Sequence, residues 1–161
     1  MEFRVSKVSY KKELKKTMKL FETFEHLADI GIRGRGQTLE EAFSNILKAL
    51  ASLLIEEVFL EALELKCEVE IEVSAEFLDE LLVSYINKVL TYTYLEGILF
   101  FEFKGKIDLQ EGGYFLRGFI YGTKFEPQKF GYGVEVKGAT FTLAKVEKEN
   151  HFWVAQCVVD V

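Results

Sequence analysis

Two short stretches of the chain carry the side chains best suited to chemistry. The stretch FEHLADIGIRGRG places Glu25, His26 and Asp29 within five positions, directly ahead of an alternating, strand-like run. The stretch VVDV puts Asp160 one residue from the carboxylate of Val161. Calcium and magnesium prefer oxygen ligands, and carboxylates held close together repel one another unless a cation lies between them. If the two stretches meet in the fold, Asp29, Asp160 and Val161 would form a site for a hard cation.

Each acid also has a purely structural interpretation. Asp29 precedes a strand, where an aspartate often bonds to its own backbone in a turn or bulge. Asp160 taken alone would be a solvated residue at a frayed end. The segment WVAQCVVDV nevertheless alternates to its last residues as a strand does. The spacing does not show that the two acids are neighbours, so both interpretations stay open.

Motifs of common enzymes are missing from the sequence. RGRGQT lacks the spacing and the lysine of a phosphate-binding loop, and there is no CxxC pair and no HExxH. Of the two histidines, His151 is expected to be an exposed hairpin residue. We therefore predict a protein that is not itself an enzyme. The weaker alternative is a metal-dependent hydrolase that uses Asp29, Asp160 and His26.

The first half of the chain predicts two strands, a helix and a third strand. Residues 19–24 and 30–36 have the pattern of strands. Thr38 and Glu41 form a Thr-x-x-Glu capping box, and the apolar residues that follow keep helical spacing to Leu54. LKCEVEIEV then alternates strictly, which is typical of a strand with one buried and one wet face.

The second half predicts one more helix and then only strands. We expect Ser74 to cap this helix and Gly97 to mark its exit. The strands are ILFFEFKGKID, YFLRGFIYG, GVEVKGATFTLAKVEKE and HFWVAQCVVDV, with a hairpin turn at Glu149 and Asn150 between the last two. Together the elements predict an α+β fold, a single domain with two helices packed on one face of a mainly antiparallel sheet.

Composition and charge limit the partners and the location. The 161 residues suit one domain, and two cysteines in strand-like runs suggest a reduced, cytoplasmic protein. No stretch suits a membrane span or a signal peptide. Residues 1–20 contain seven basic and two acidic residues, a local charge of +5, which leaves −11 for the rest. We predict a basic N-terminal extension, 1–18, and a domain, 19–161, whose acidic body does not bind nucleic acid strongly by itself.

The ordered motifs resemble those of the archease family. The resemblance is carried by EHLADIG, TLEEAF, the helix around DELLVSYINKVL, GVEVKGATFTLAKVE and the terminal WVAQCVVDV, from about Phe21 to Val161. It implies a small α+β helper protein of tRNA maturation. Such a protein activates an RtcB-type tRNA-splicing RNA ligase by promoting transfer of GMP onto the ligase histidine, which restores turnover. A chaperone or docking role for another tRNA-modifying enzyme, such as a tRNA methyltransferase, is the alternative.

The resemblance also implies roles for particular residues. It assigns a divalent cation, expected to be calcium, to Asp29, Asp160 and Val161. Glu25 and His26 would support this acidic tip. Lys137 is a candidate partner for one of the acids.

The sequence departs from the family pattern at a few positions. Leu27 stands where the family usually has threonine in the opening motif. Phe141 and Thr142 stand where a tyrosine and a histidine are usual, and EPQKFGYG replaces a histidine-containing loop. These changes leave both aspartates intact but remove polar groups around them, and they predict a divergent partner or weaker activation of the ligase.

Overall fold

The computed structural model describes residues 18–161. The predicted extension 1–18 therefore lies outside the described residues except for Met18. The helices are α1 (Leu39–Leu54), α2 (Leu78–Glu96) and a single turn, α3 (Pro127–Phe130), and a 3₁₀ segment spans Glu57–Ala62. The strands are β1 (Phe21–His26), β2 (Asp29–Gly36), β3 (Cys67–Ala75), β4 (Ile98–Gln110), β5 (Gly113–Lys124), β6 (Gly138–Ala139), β7 (Lys145–Glu149) and β8 (Phe152–Asp160).

The strands pair antiparallel throughout the described part of the chain, in two sheets. The first has the order β1-β2-β8-β6, with β7 also paired to β8. The second has the order β3-β5-β4. The α+β class with antiparallel strands and two long helices is confirmed. The structure adds that the strands divide between two sheets, and that both helices contact strands of each.

The start of α1 follows the predicted capping pattern with a small shift. The Thr38 hydroxyl accepts a hydrogen bond from the Glu41 backbone N–H at 3.1 Å. The Glu41 carboxylate accepts from the backbone N–H of Gln37 at 3.2 Å, one residue earlier than a capping box requires. The apolar face of α1 is buried in the core, and β2 passes very close to it at Gly34. A Cβ on Gly34 would lie 2.3 Å from the Ile46 backbone nitrogen.

The second long helix begins later than the sequence predicted. Ser74 belongs to β3, and the N-cap residue of α2 is Phe77, whose side chain makes no capping bond. The prediction of a Ser74 cap was wrong because the alternating strand pattern continues through this residue. The helix exit at Gly97 is confirmed, with φ at +66°. Within residues 18–161, no helix is both long and apolar enough to cross a bilayer.

The predicted strand GVEVKGATFTLAKVEKE is broken into β6 and β7. Between them the chain stays bonded to β8, because the Val158 N–H donates to the Thr142 carbonyl and the Thr140 hydroxyl donates to the Val158 carbonyl. Leu143 takes a left-handed conformation, with φ at +51°. This bend interrupts the strand pairing. The alternation of apolar and polar residues in the sequence does not indicate where the break falls. The hairpin between β7 and β8 turns at Asn150, as predicted.

Candidate functional site: an acidic tip on the five-stranded sheet

The strand order brings the two distant aspartates side by side. β8 lies between β2 and β6, and its register pairs Ile30 with Val159. One step further along these strands, Asp29 and Asp160 lie opposite each other. Residues opposite each other on antiparallel strands have Cβ atoms about 4.5–5.5 Å apart and share one face of the sheet. The sequence spacing did not show whether the two aspartates are neighbours, and the fold brings them together.

Hydrogen bonds from two backbone N–H groups hold the end of β8 at this position. The Val161 N–H donates to Asp29 Oδ1 over 3.4 Å. On the other side, the Lys137 N–H donates to the Asp160 carbonyl at 2.8 Å. The end of β8 is thus tied on both sides instead of fraying. We call Asp29, Asp160 and Val161 the acidic tip.

The two predicted supporting residues of the opening motif lie on different faces. His26 pairs with Asp29 across the β1–β2 turn, so it shares the face of the aspartates. Glu25 pairs with Ile30, and its side chain therefore leaves the opposite face of the sheet. Of the two, the structure places His26 beside the acidic tip and Glu25 behind it.

Lys137 approaches the acidic tip through its backbone. It lies directly before β6, and its side chain is exposed. Within residues 18–161 this side chain makes no ion pair with Asp29 or Asp160. The observed contribution of Lys137 is the hydrogen bond that its backbone N–H donates to the Asp160 carbonyl.

Two side chains of α2 fasten the segment that borders Asp160. The Asn87 amide accepts from the Ala139 N–H at 2.8 Å and donates to the Ala139 carbonyl at 3.4 Å. The Tyr94 hydroxyl donates to the Val136 carbonyl at 2.7 Å and accepts from the Val136 N–H at 3.2 Å. We call these two residues the helix clamp. No motif in the sequence marks these two residues, although a spacing of seven places them on one helix face.

A charged network lies further down the face that carries the aspartates. Glu22 Oε1 lies 2.6 Å from one guanidinium nitrogen of Arg33 and 2.8 Å from one of Arg35. Arg33 also donates to the side chain of Gln156 on β8 at 2.9 Å. Burial by itself raises the pKa of Glu22, but the hydrogen bonds to both arginines outweigh it and hold that pKa below its ordinary value. The network joins β1, β2 and β8 and so fixes the strands that carry the acids.

An aromatic ring completes the packing of the β1–β2 hairpin. The Phe24 ring covers Gly31, where an added Cβ would come within 2.1 Å of the ring. The Arg33 guanidinium lies over the same ring, 4.4 Å from its centroid. This close stacking requires glycine at position 31, so the motif ADIG has a packing reason for its last residue.

Exposed apolar side chains lie in the β1–β2 turn and in the bend that follows β6. Leu27 occupies the β1–β2 turn with φ at +54° and is 95% exposed. Phe141 and Leu143, in the bend after β6, are also exposed. Leu27 and Phe141 are two of the positions that depart from the family pattern. Both side chains offer apolar contact area to solvent, Leu27 two residues before Asp29 and Phe141 in the bend bonded to β8 at Val158.

The donor set of the acidic tip consists of oxygen atoms. Within the part of the chain that the structure describes, no three His, Cys, Asp or Glu side chains form a cluster that could hold a metal. The predicted donors are the side chains of Asp29 and Asp160 and the carboxylate expected at Val161. Such a set fits a hard cation such as calcium and does not fit a soft metal, which would favour sulfur or imidazole ligands.

The fold and this site define a class of protein. It is a small α+β domain in which two neighbouring central strands carry aspartates side by side at one end of the sheet. Comparisons with known proteins give the family. The sequence matches the Archease protein family over residues 21–161. It is 42% identical to the protein archease of Pyrococcus furiosus and 35% identical to that of Sulfurisphaera tokodaii, each alignment covering 89% of this chain and 100% of the relative.

A solved structure supports the same assignment. The solution structure of protein 1598 from Methanobacterium thermoautotrophicum matches with a TM-score of 0.75 and 30% identity, over 89% of this chain and all of that one. The chain belongs to the archease family, and the resemblance found in its motifs is confirmed.

Proposed function

We propose that this archease is a non-catalytic helper of an RtcB-type tRNA-splicing RNA ligase, and that it promotes guanylylation of the ligase and hence its turnover. The observation that carries the proposal is the position of Asp29 opposite Asp160, at the ends of the neighbouring strands β2 and β8, with Asp29 bonded to the Val161 N–H. Membership of the archease family is the reason for choosing the ligase as the partner. The net negative charge of the domain favours binding to a protein over binding to RNA, because carboxylates repel phosphate backbones.

The acidic tip would act by organising charge. Asp29, Asp160 and the Val161 carboxylate would hold a divalent cation, which we take to be calcium. When bound, the cation would supply positive charge that can neutralise phosphate oxygens in a nearby site. The residues of this chain would hold the carboxylates at fixed positions through the Val161–Asp29 bond and the Lys137–Asp160 bond.

The residues around the acidic tip would have different tasks. His26 lies on the same face and would bond to a carboxylate or to a partner. Glu25 leaves the opposite face and would support the hairpin from behind. Lys137 would position Asp160 through its backbone, while its exposed side chain is free to meet a phosphate or an acidic partner residue.

A second function, as a chaperone or docking module for another tRNA-modifying enzyme such as a methyltransferase, is favoured by a different observation. Leu27 and Phe141 are 95% and 61% exposed near the acidic tip. Exposed apolar groups of this kind suit contact with a protein surface. Both functions would use the same end of the molecule in the cytoplasm, and they differ in the enzyme that is bound.

The test is multiple-turnover RNA ligation by the RtcB-type ligase of the same organism, with and without this protein. We expect wild type to restore turnover and Asp29→Asn and Asp160→Asn each to lower the stimulation by at least about tenfold, because each removes one charge from the cation site. Asp108→Asn, which removes an exposed acid from the other sheet, is the matched control and keeps full stimulation.

Binding to the ligase, measured separately, distinguishes the outcomes. Wild type that binds the ligase without restoring turnover contradicts activation by this chain. Wild type that does not bind, but is captured with a tRNA methyltransferase, favours the docking function. Full stimulation by both aspartate variants would rule out the acidic tip as the active element.

A further inference from the structure

The five-stranded sheet has one side that is turned away from both long helices. On β8, Ala155 and Cys157 belong to the main core together with residues of α1 and α2. Phe152, Val154 and Val158 alternate with them along the strand, so their side chains leave the other side of the sheet. None of these three residues is part of the main core. We call the side of the sheet that carries them the outer face.

The three apolar side chains of the outer face are nevertheless buried. Phe152 is 3% exposed, and Val154 and Val158 are each 2% exposed. Side chains stand roughly perpendicular to a sheet, so those on flanking strands shield a neighbour from the sides and leave its end open. The residues that flank Val154 are Arg35 on β2 and Glu147 on β7. Burial as complete as that of Val154 therefore requires polypeptide above the sheet.

The described elements do not account for this cover. Among residues 18–161, both long helices pack on the core side of the sheet, and the strands of the second sheet share that core. The bend between β6 and β7 bonds to β8 at Gln156 and Val158, whereas β7 flanks Val154 and Phe152 within the sheet. The cover for Val154 and Phe152 must come from elsewhere in the chain.

The N-terminal end of β1 lies beside the outer face. The Leu20 carbonyl accepts a hydrogen bond from the Arg35 N–H at 2.8 Å, and the Lys19 carbonyl accepts from the Arg35 guanidinium at 3.1 Å. The Arg35 side chain shares the outer face with Val154, its partner in the register of β2 with β8. The chain that precedes Lys19 therefore starts two strands, or about 10 Å, from Val154.

The segment 1–17 has the length and the side chains to supply the cover. Seventeen extended residues span up to about 55–60 Å, whereas a strand of the length of β8 spans about 30 Å. Six basic and two acidic residues give the segment a net charge of +4. The family match begins only at residue 21, so the segment lies outside it. The apolar residues of the segment include Phe3, Val5, Val8, Tyr10 and Leu14.

We propose that residues 1–17 lie across the outer face and cover Phe152, Val154 and Val158 with apolar side chains. Charge favours this occupant, because five acidic and three basic residues give the outer face a net charge of −2, opposite to that of the segment. A separate protein as the occupant would leave the three side chains open in the single chain, whereas they are buried in it. The charged residues of the outer face are Glu22, Asp29, Arg33, Arg35, Lys145, Glu147, Glu149 and Asp160.

The test is methyl NMR spectroscopy of the full chain with a nitroxide label in the middle of the segment. Val8→Cys in a Cys67→Ser background offers the label one accessible thiol, because Cys157 is buried. We expect the methyl signals of Val154 and Val158 to lose most of their intensity, and chemical reduction of the label to restore it. Intact signals with the oxidised label would overturn the proposal.

Two arms control for where the label acts. Asp108→Cys carries the same label on the outside of the second sheet, beyond the helices, and should leave the signals of Val154 and Val158 intact. In a mixture, chains labelled at Val8→Cys but without isotope enrichment are added to enriched chains without the label. We expect no loss of signal in this mixture. A loss there would assign the cover to a second copy and overturn the proposal.

A label-free measurement checks that the apolar residues of the segment provide the cover. A soluble paramagnetic agent should broaden the Val154 and Val158 methyl signals several-fold more in a variant that keeps its native circular dichroism and carries Phe3→Ser, Val5→Ser, Val8→Ser and Tyr10→Ser. Broadening that stays at the wild-type level would contradict the proposal. The matched control exchanges four exposed apolar residues and should leave the broadening unchanged: Leu27→Ser, Val58→Ser, Leu95→Ser and Leu109→Ser.

Discussion

Asp29 Oδ1 accepts a hydrogen bond from the backbone N–H of Val161, over 3.4 Å and across 132 positions of sequence. Through this bond and the register of β2 with β8, Asp29 helps to position Asp160. The carboxylate of Asp29 therefore has two separable properties: an acceptor oxygen that holds β8, and a negative charge that is available to a cation.

Substitutions of Asp29 separate these two properties. Asn keeps an acceptor oxygen, so we expect Asp29→Asn to stay within about 0.5 kcal/mol of wild type in urea unfolding. Asp29→Ala should lose about 1 kcal/mol, because the Val161 N–H loses its partner. Both variants should lose calcium binding by titration calorimetry. Calcium binding that persists in Asp29→Ala would place the cation elsewhere.

The pH dependence of stability should report the network of Glu22 with its two arginines. The folded pKa of Glu22 is lowered, so its contribution is fully present above the unfolded value of about 4.3 and is lost as pH falls through the folded pKa. Glu22→Gln should cost about 1–2 kcal/mol at pH 7, and the difference from wild type should shrink below about pH 4. Urea titrations at a series of pH values measure it. Glu61→Gln, which removes an exposed acid from the 3₁₀ segment, is the control for the loss of one negative charge.

The helix clamp should control the segment beside Asp160. Asn87→Ala removes the acceptor of the Ala139 N–H, so native-state hydrogen exchange at that amide should speed up by about tenfold or more. Thr91→Ala is the control on the same helix, because among residues 18–161 the Thr91 hydroxyl bonds to the Asn87 carbonyl and to nothing in β6. Equal exchange at Ala139 in wild type and Asn87→Ala would show that β8 alone holds this segment.

The close approach of β2 to α1 at Gly34 should not tolerate a methyl group. A Cβ there would lie 2.3 Å from the Ile46 nitrogen and 2.5 Å from the Ala42 carbonyl, and helix backbone cannot move aside. Gly34→Ala should lower the unfolding free energy by about 2–4 kcal/mol in thermal or urea denaturation. Gly112→Ala, where an added Cβ meets only open space, should cost less and reflect only its positive φ. Equal losses in the two variants would contradict this account.

The two cysteines should differ in reactivity. Burial raises the pKa of the Cys157 thiol to about 12, so almost no thiolate is present at pH 8. Alkylation of the native protein should add a single group, at the half-buried Cys67, and mass spectrometry of peptides locates it. A Cys67→Ser variant should stay unmodified until urea is added. Rapid native labelling of that variant would mean that β8 opens far more easily than its packing suggests.

The elements with one strong pattern were predictable from the sequence, and so was the fold class. α1 begins at its predicted Thr38 cap, α2 ends at Gly97, and the hairpin turn falls at Asn150. In each case the local chemistry of a cap or a left-handed turn decides the position. Such signals depend on residues that are adjacent in sequence, so they can be recognised without a structure.

The features that depend on distant neighbours were not predictable from pattern alone. Ser74 continues β3 because Phe115 pairs with it, and this contact outweighs its preference for a cap. The acidic tip needed a register that joins Ile30 to Val159, and only the resemblance to archeases suggested it beforehand. The helix clamp was missed because Asn87 and Tyr94 bond to backbone atoms about 40 to 50 positions away.

The central place of β8 has a consequence for how this protein is made. The strand that β2, β6 and β7 all need as a partner is synthesised after all three of them. Until β8 leaves the ribosome, β2 has one unpaired edge, and β6 and β7 lack their ladder. Long-range antiparallel closure of this kind slows folding and leaves strand edges open to other chains in the meantime. The nascent chain is therefore most vulnerable to aggregation while β8 is still missing, and Asp29 meets Asp160 only when the sheet is complete.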